Sequence, residues 1–179
     1  MQKPLILLLF WLICMPAHAL TPVEESIRQI SEEVQEGVDG VIAGSRIAAV
    51  RVLGAFYVSR GFRPAWDDST HFRALLAVLR GAAGHGLDPN DYHYRLLSGW
   101  PAENTPRQLA ERDILATDAL IRYAYHLYFG KVDPADLDPD WNLVRRLDGE
   151  DPVAVIEAAV TAPSLADYVD TQLAPTSRF

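Results

Sequence analysis

The segment TPRQLAERDILATDALIRYAYHLYF, residues 105–129, carries the longest helical pattern in this chain. Thr105, Pro106 and Gln108 form a capping box with proline in the first turn, which is typical of a helix start. Apolar residues then recur at steps of three and four, and this stripe runs to Phe129, directly before Gly130. They are Leu109, Ala116, Ala119, Leu120, Tyr123 and Leu127. The pattern predicts one helix of about 36 Å at 1.5 Å per residue, long enough to be the spine of a domain.

Shorter helices are predicted on both sides of this spine. They cover 22–35, after the capping box Thr21-Pro22-Val23-Glu24, then 46–60 with Ser45 as N-cap, 69–83, 152–161, and a last one opened by Ser164 and Asp167. Strand-like alternation never lasts more than a few residues, and no internal repeat occurs. We therefore predict an all-α fold, a single compact multi-helix domain over residues 20–179 with Pro-, Asp- and Gly-rich turns.

The first nineteen residues have the pattern of a secretion signal. Lys3 precedes the apolar run from Leu5 to Met15, and Ala17-His18-Ala19 places small residues at the positions that signal peptidase reads. The run is too short to cross a bilayer, although an uncleaved N-terminal anchor is the alternative. We expect residues 1–19 to be a signal peptide cleaved after Ala19, a periplasmic product, and no stable membrane span after cleavage.

Charge and sulfur content restrict the function further. The formal net charge is −8, so the chain lacks the clustered cations that nucleic-acid binding requires. Its single cysteine, Cys14, and both methionines, Met1 and Met15, lie within the expected signal peptide. The processed protein is therefore expected to contain no thiol and to form no disulfide.

One acidic cluster invites comparison with a calcium loop. Asp136, Asp138 and Asp140 would occupy its first three ligand positions. Trp141 then stands where the loop needs glycine, and Leu147 stands where it needs a bidentate glutamate. Asp-Pro turns explain the same residues, so we predict no calcium site.

A second polar cluster combines His85, Asp88, Asp91 and His93. These side chains are zinc ligands by type, but their spacing matches no zinc signature. A helix end followed by an Asp-Pro turn accounts for them without a metal. We therefore expect neither a metal nor another cofactor.

No residue pattern specifies a catalytic site. Glu111 and Asp113 are two positions apart, so they point to different faces of a helix and do not converge like the acids of a glycosidase. Ser, His and Asp are all present, but the chain has no G-x-S-x-G elbow. Asp118 and Arg122, four residues apart, are expected to pair on the flank of the spine helix.

Aromatic residues are concentrated near two helix ends. They are Phe56, Tyr57, Phe62 and Trp66 at one end, and Tyr123, Tyr125, Tyr128, Phe129 and Trp141 at the other. Most are expected in the core, but a tryptophan in a proline-containing turn also suits a contact surface. The candidate contact residues are Trp66, Arg63, Trp141 and Asn142.

An ordered series of motifs resembles a known family. The motifs are Phe56-Tyr57, Arg60-Gly61-Phe62-Arg63-Pro64-Ala65-Trp66, His85-Gly86-Leu87-Asp88-Pro89, Asp91-Tyr92-His93, Glu111-Arg112-Asp113, Thr117-Asp118-Ala119, Tyr123-Ala124-Tyr125-His126-Leu127, Phe129-Gly130-Lys131-Val132-Asp133-Pro134, Asp138-Pro139 and Trp141-Asn142. Their order and spacing, across about residues 45–175, resemble the YcbB-like murein L,D-transpeptidases. The resemblance is to the helical scaffold domain that lies ahead of a peptidoglycan-binding module and a separate catalytic domain.

The resemblance implies a role in 3→3 cross-linking of peptidoglycan without the catalytic step. The family's nucleophile motif, Ser/Thr-x-Gly-Cys-x-Arg, does not occur in this sequence. We therefore expect a non-catalytic scaffold module, freestanding or C-terminally truncated, whose partner is peptidoglycan or a transpeptidase catalytic domain. The alternatives are an independent helical peptidoglycan hydrolase that uses a Glu or Asp acid, and an inert gene fragment.

Overall fold

The computed structural model describes residues 19–37, 40–102, 105–131 and 151–174. Seven helices and one short hairpin lie in these ranges: α1 Pro22–Gln35, β1 Val41–Ile42, β2 Ser45–Arg46, α2 Val50–Ser59, α3 Ser69–Arg80, α4 Tyr94–Ser98, α5 Pro106–Phe129, α6 Pro152–Thr161 and α7 Leu165–Tyr168. Short 3₁₀ segments, Gly81–His85 and Pro89–Tyr92, join α3 to α4, and a π-helical turn, Val169–Leu173, continues α7. The predicted all-α architecture is confirmed.

Helix α5 is the spine around which the other helices pack. Its capping box forms as predicted, because the Thr105 hydroxyl accepts from the Gln108 amide at 3.3 Å and the Gln108 side chain accepts from the Thr105 amide at 2.9 Å. Helices α1, α2 and α3 all lie against α5. The apolar side of α1, with Ile27 and Ile30, is buried in that packing. Burial of these faces, at about 25 cal/mol per Å², is the main force that assembles the domain.

The segment before α2 differs from the prediction. Ser45 does not cap a helix; it belongs to a hairpin in which β1 and β2 pair antiparallel, with Ile42 opposite Ser45. The two-residue turn, Ala43-Gly44, has positive φ at both positions (47° and 79°), as a primed hairpin turn requires. Helix α2 therefore begins at Val50, and Ala49 at its N-cap position makes no side-chain capping bond.

Two other helices end or continue differently from the prediction. Helix α3 ends at Arg80 instead of continuing to residue 83, because the chain tightens into a 3₁₀ segment and then turns at Gly86, whose φ is +74°. The last helix is only four residues long before it becomes the π-helical turn. No helix within the described ranges is long and apolar enough to span a bilayer. The expected signal peptide, apart from Ala19, lies outside the described residues.

Candidate functional site

Helix α5 carries a row of polar side chains into the core. Asp113, Thr117, Asp118 and His126 are each at most 5% exposed. Buried polar atoms are costly unless they form hydrogen bonds, so these residues need partners from neighbouring segments. The structure supplies partners from three segments that are far away in sequence.

Asp113 is the centre of the first network. Its Oδ1 accepts from the Tyr57 hydroxyl at 2.7 Å and from the Ala65 amide at 2.9 Å, and its Oδ2 accepts from the Trp66 amide at 2.8 Å. Burial raises the pKa of the Asp113 carboxyl, and these three hydrogen bonds oppose the rise. The carboxylate thus joins the turn after α2 to the middle of α5.

Thr117, one turn further along α5, continues this network. Trp66 Nε1 donates to the Thr117 hydroxyl at 3.0 Å, and that hydroxyl lies 2.8 Å from the Tyr57 hydroxyl. Because the Tyr57 proton points to Asp113, the Thr117 hydroxyl must donate to Tyr57. The order of donors is therefore fixed from Trp66 through Thr117 and Tyr57 to Asp113.

This network corrects the expected role of Trp66. Its side chain is buried, with 1% of the residue exposed, so its ring closes the core and offers no contact surface. Arg63, by contrast, is exposed and lines a cleft of about 340 Å³ beside the ion pair between Arg60 and Glu157. The contact residues expected at Trp141 and Asn142 lie outside the described residues.

Asp118 is the centre of a second network. Its Oδ1 accepts from the amides of Ala48 and Ala49 at 3.0 and 2.8 Å, so this side chain takes the place of a local cap at the start of α2. Its Oδ2 lies 2.8 Å from His93 Nε2, and His93 Nδ1 lies 2.7 Å from the Ser45 hydroxyl. Asp118 thus joins the hairpin and the segment before α4 to the spine.

The second network reaches the surface at an open cleft of about 620 Å³. Asp118 is fully buried and His93 is 5% exposed, whereas Ser45 is half-buried. The cleft is lined by Ala43, Gly44, Ser45, Asn90, His93, Arg95, Leu96 and Gly99. Ser45 is therefore the member of this network that is partly open to the cleft, and His93 lies directly behind it.

His126 lies in a separate part of the core near the end of α5. Its Nδ1 is 2.8 Å from the Tyr92 hydroxyl, and its Nε2 has no hydrogen-bond partner among the described residues. Burial lowers the pKa of His126, and the charges of Arg122 and Lys131 lower it further. The arrangement favours a neutral imidazole in the fold.

The polar side chains at residues 85–93 bond to different partners. Asp88 caps the following 3₁₀ segment through the Asn90 amide, Asp91 pairs with Lys131 at 2.8 Å, and His93 faces Asp118. Within the described ranges, no group of three or more His, Cys, Asp or Glu side chains is arranged to hold a metal ion. The acidic cluster at residues 136–140 lies outside those ranges.

The two acids considered as a glycosidase pair have different surroundings. Glu111 pairs with Arg107 near the surface, at 3.2 Å, whereas Asp113 is buried in the core. The predicted divergence of the two carboxylates is therefore confirmed. Sequence analysis missed the association of Ser45, His93 and Asp118, and no motif spacing signals it.

One comparison with known proteins found a match to this chain. A family model described as Scaffold domain matches residues 51–178. No curated protein and no solved structure matches the chain. The matched range begins in α2, includes the whole spine, and contains Asp113, Asp118 and His126. The chain therefore belongs to the Scaffold domain family.

Proposed function

We propose that this chain is a scaffold module of a peptidoglycan L,D-transpeptidase system, non-catalytic in the cross-linking reaction. Residues 1–19 direct it to the periplasm, and there it contacts peptidoglycan or a transpeptidase catalytic domain. Membership of the Scaffold domain family supports the scaffold role. The ordered motifs, which resemble the scaffold segment of the YcbB-like enzymes, support the link with L,D-transpeptidation.

One observation carries the proposal: the motifs behind the resemblance coincide with the internal networks. Tyr57, Trp66 and Asp113 bond to one another in the core. When the distinctive residues of a segment bond to one another in the core, their role is to hold that segment in one shape. A shape that is fixed in this way suits a module that positions a partner.

The sulfur content supports a role without transpeptidation chemistry. Transfer of an acyl group through a thioester requires a thiolate with a base in reach. Cys14 is the only cysteine in the sequence, and it lies in the proposed signal peptide. In this proposal the thiolate therefore belongs to another protein or domain.

Arg63 is the described residue that we propose for contact with the cell wall. Its side chain is exposed at the edge of the cleft next to α6, and its Nε donates to the Arg60 carbonyl at 2.9 Å, which orients the guanidinium. A guanidinium binds carboxylates in a two-point geometry, and peptide stems carry carboxylates.

Sedimentation with purified sacculi tests the proposal. The full chain is expressed with its leader, recovered from the periplasm and weighed by intact mass spectrometry, which should report loss of residues 1–19. We expect the processed protein to sediment with sacculi and to release no muropeptides. Arg63→Ala should weaken sedimentation, while Arg80→Ala, which removes another exposed arginine, should not.

Two outcomes would overturn the proposal. Release of muropeptides by the purified protein would show that it is a peptidoglycan hydrolase. The protein could also fail to sediment with sacculi and fail to bind an L,D-transpeptidase catalytic domain added in the same assay. That result would exclude both proposed partners.

A further inference from the structure

Hydrogen-bonding distances place His93 between Asp118 and Ser45. Asp118 Oδ1 accepts from two backbone amides, and Asp118 Oδ2 lies 2.8 Å from His93 Nε2. On the other side of the ring, His93 Nδ1 lies 2.7 Å from the Ser45 hydroxyl. A neutral imidazole that donates from Nε2 to Asp118 has its lone pair on Nδ1, facing Ser45.

We propose that Ser45, His93 and Asp118 form a nucleophilic serine site that hydrolyses short-chain carboxylic esters in the cleft between the hairpin and α4. The roles follow from the proton positions. Ser45 donates its proton to His93, as a nucleophile does to a general base, and Asp118 holds the imidazole in the required tautomer. In serine proteases the serine faces Nε2; here the ring is reversed and Nδ1 is the base.

The cleft offers the other requirements of ester hydrolysis. Its volume of about 620 Å³ is within the range of small-molecule sites. Leu96 and Ala43 line it beside Ser45, which suits a short acyl chain. The exposed Arg95 lines the same cleft, and a guanidinium there would stabilise the negative charge that develops on a carbonyl oxygen.

Backbone strain is located at the same place. His93 and Ala43 are two of the three described non-glycine residues with positive φ, at 57° and 47°, and both line the cleft. The hairpin turn accounts for Ala43, and histidine adopts left-handed backbone more readily than most residues; such conformations are nevertheless concentrated at functional sites. At His93 this backbone conformation lies between two side chains with different partners. The Tyr92 hydroxyl faces His126, whereas the His93 imidazole faces Asp118 and Ser45.

The reaction is balanced with water as the only co-reactant. Ser45 Oγ bonds to the ester carbonyl carbon while its proton moves to His93 Nδ1, and the departing alcohol takes that proton as its C–O bond breaks. Water then gives a proton to Nδ1 and attacks the acyl-serine. The carboxylic acid leaves as Ser45 regains its proton. Asp118 remains hydrogen-bonded to His93 Nε2 throughout.

A fluorophosphonate probe tests the site, because it reacts only with an activated serine. The full chain is incubated with the probe, and the adduct is located by intact mass and peptide mapping. We expect one adduct on Ser45 and measurable hydrolysis of p-nitrophenyl acetate. Ser45→Ala should abolish both, whereas Ser98→Ala, a matched exposed serine on α4, should retain both.

A second variant tests the base. Asparagine tolerates left-handed backbone, so His93→Asn should keep the turn while it removes the base. We expect the rate of labelling to fall about 100-fold or more, with cooperative melting retained. Absence of an adduct on the wild-type protein, under conditions that label a known serine hydrolase, would overturn the proposal. Equal labelling of Ser45→Ala would also overturn it. Neither outcome depends on sedimentation with sacculi, so this site and the proposed function fail separately.

Discussion

Replacing Asp113 by asparagine tests whether its carboxylate joins the turn after α2 to the spine helix. The substitution keeps the size of the side chain but exchanges one acceptor oxygen for an NH₂ group. If the remaining oxygen stays with Tyr57 and Ala65, the new NH₂ group faces the Trp66 amide, and two donors oppose each other. In the opposite orientation the Tyr57 hydroxyl can accept from the NH₂ group and donate to Thr117, but the Ala65 amide faces a donor and loses its acceptor. Either orientation therefore loses at least one buried hydrogen bond.

The magnitude follows from the number of bonds affected. A buried donor without a partner costs about 1–3 kcal/mol, and the bonds that remain are weaker because a neutral oxygen replaces a charged one. Removal of a buried charge offsets part of this loss, since burial raises the pKa of Asp113. We expect the free energy of unfolding to fall by about 2–4 kcal/mol, which lowers the melting temperature by about 5–15 °C for a domain of this size.

Thermal and urea unfolding, followed by circular dichroism, measure this change. Glu111→Gln is the matched control, because Glu111 lies two residues away on α5 and, among the described residues, pairs with Arg107 near the surface. The control should change stability by less than about 0.5 kcal/mol. If Asp113→Asn and Glu111→Gln unfold at the same temperature, the network around Asp113 contributes nothing and the reasoning is refuted.

Two further predictions concern α5. Because burial lowers the pKa of His126 below its ordinary value of 6.5, the unfolded chain takes up a proton that the fold excludes, and stability should decline as pH falls below that value. His126→Gln should flatten this decline in melts between about pH 7 and pH 5, and His85→Gln should not; equal slopes for wild type and His126→Gln would contradict the assignment. Thr105→Ala should lower the free energy of unfolding by about 1 kcal/mol through loss of the cap, measured by urea titration, whereas Thr105→Ser should have little effect. An unchanged urea midpoint in Thr105→Ala would count against the cap.

Local features of the fold could be predicted from sequence because they are complete within a few residues. The capping boxes at Thr21 and Thr105 each require only residues within one turn, and both form. The start at Pro106 and the end at Phe129 followed as well, since Gly130 adopts a positive φ that other residues disfavour. The all-α class is determined at this same local level.

The features that could not be predicted from sequence depend on contacts between residues that are distant along the chain. Ser45 has the type of an N-cap, but Asp118, about seventy positions away, supplies the acceptor for the amides at the start of α2. The expected pair of Asp118 and Arg122 exists only as a 3.9 Å approach, because Asp118 turns inward to other partners. Trp66 likewise follows a proline turn that suits the surface, yet Thr117 satisfies its N–H in the core. No periodic pattern in the sequence predicts these long-range contacts.

Amide hydrogen exchange tests the central claim most directly, namely that buried aspartates of α5 tie distant loops to the spine. The amides of Ala48, Ala49, Ala65 and Trp66 precede or follow helices, and their acceptors are the carboxylates of Asp113 and Asp118. We predict that all four exchange only with global unfolding, and that Asp113→Asn selectively releases the last two. Exchange of these amides at the rate of the exposed turns would contradict the account.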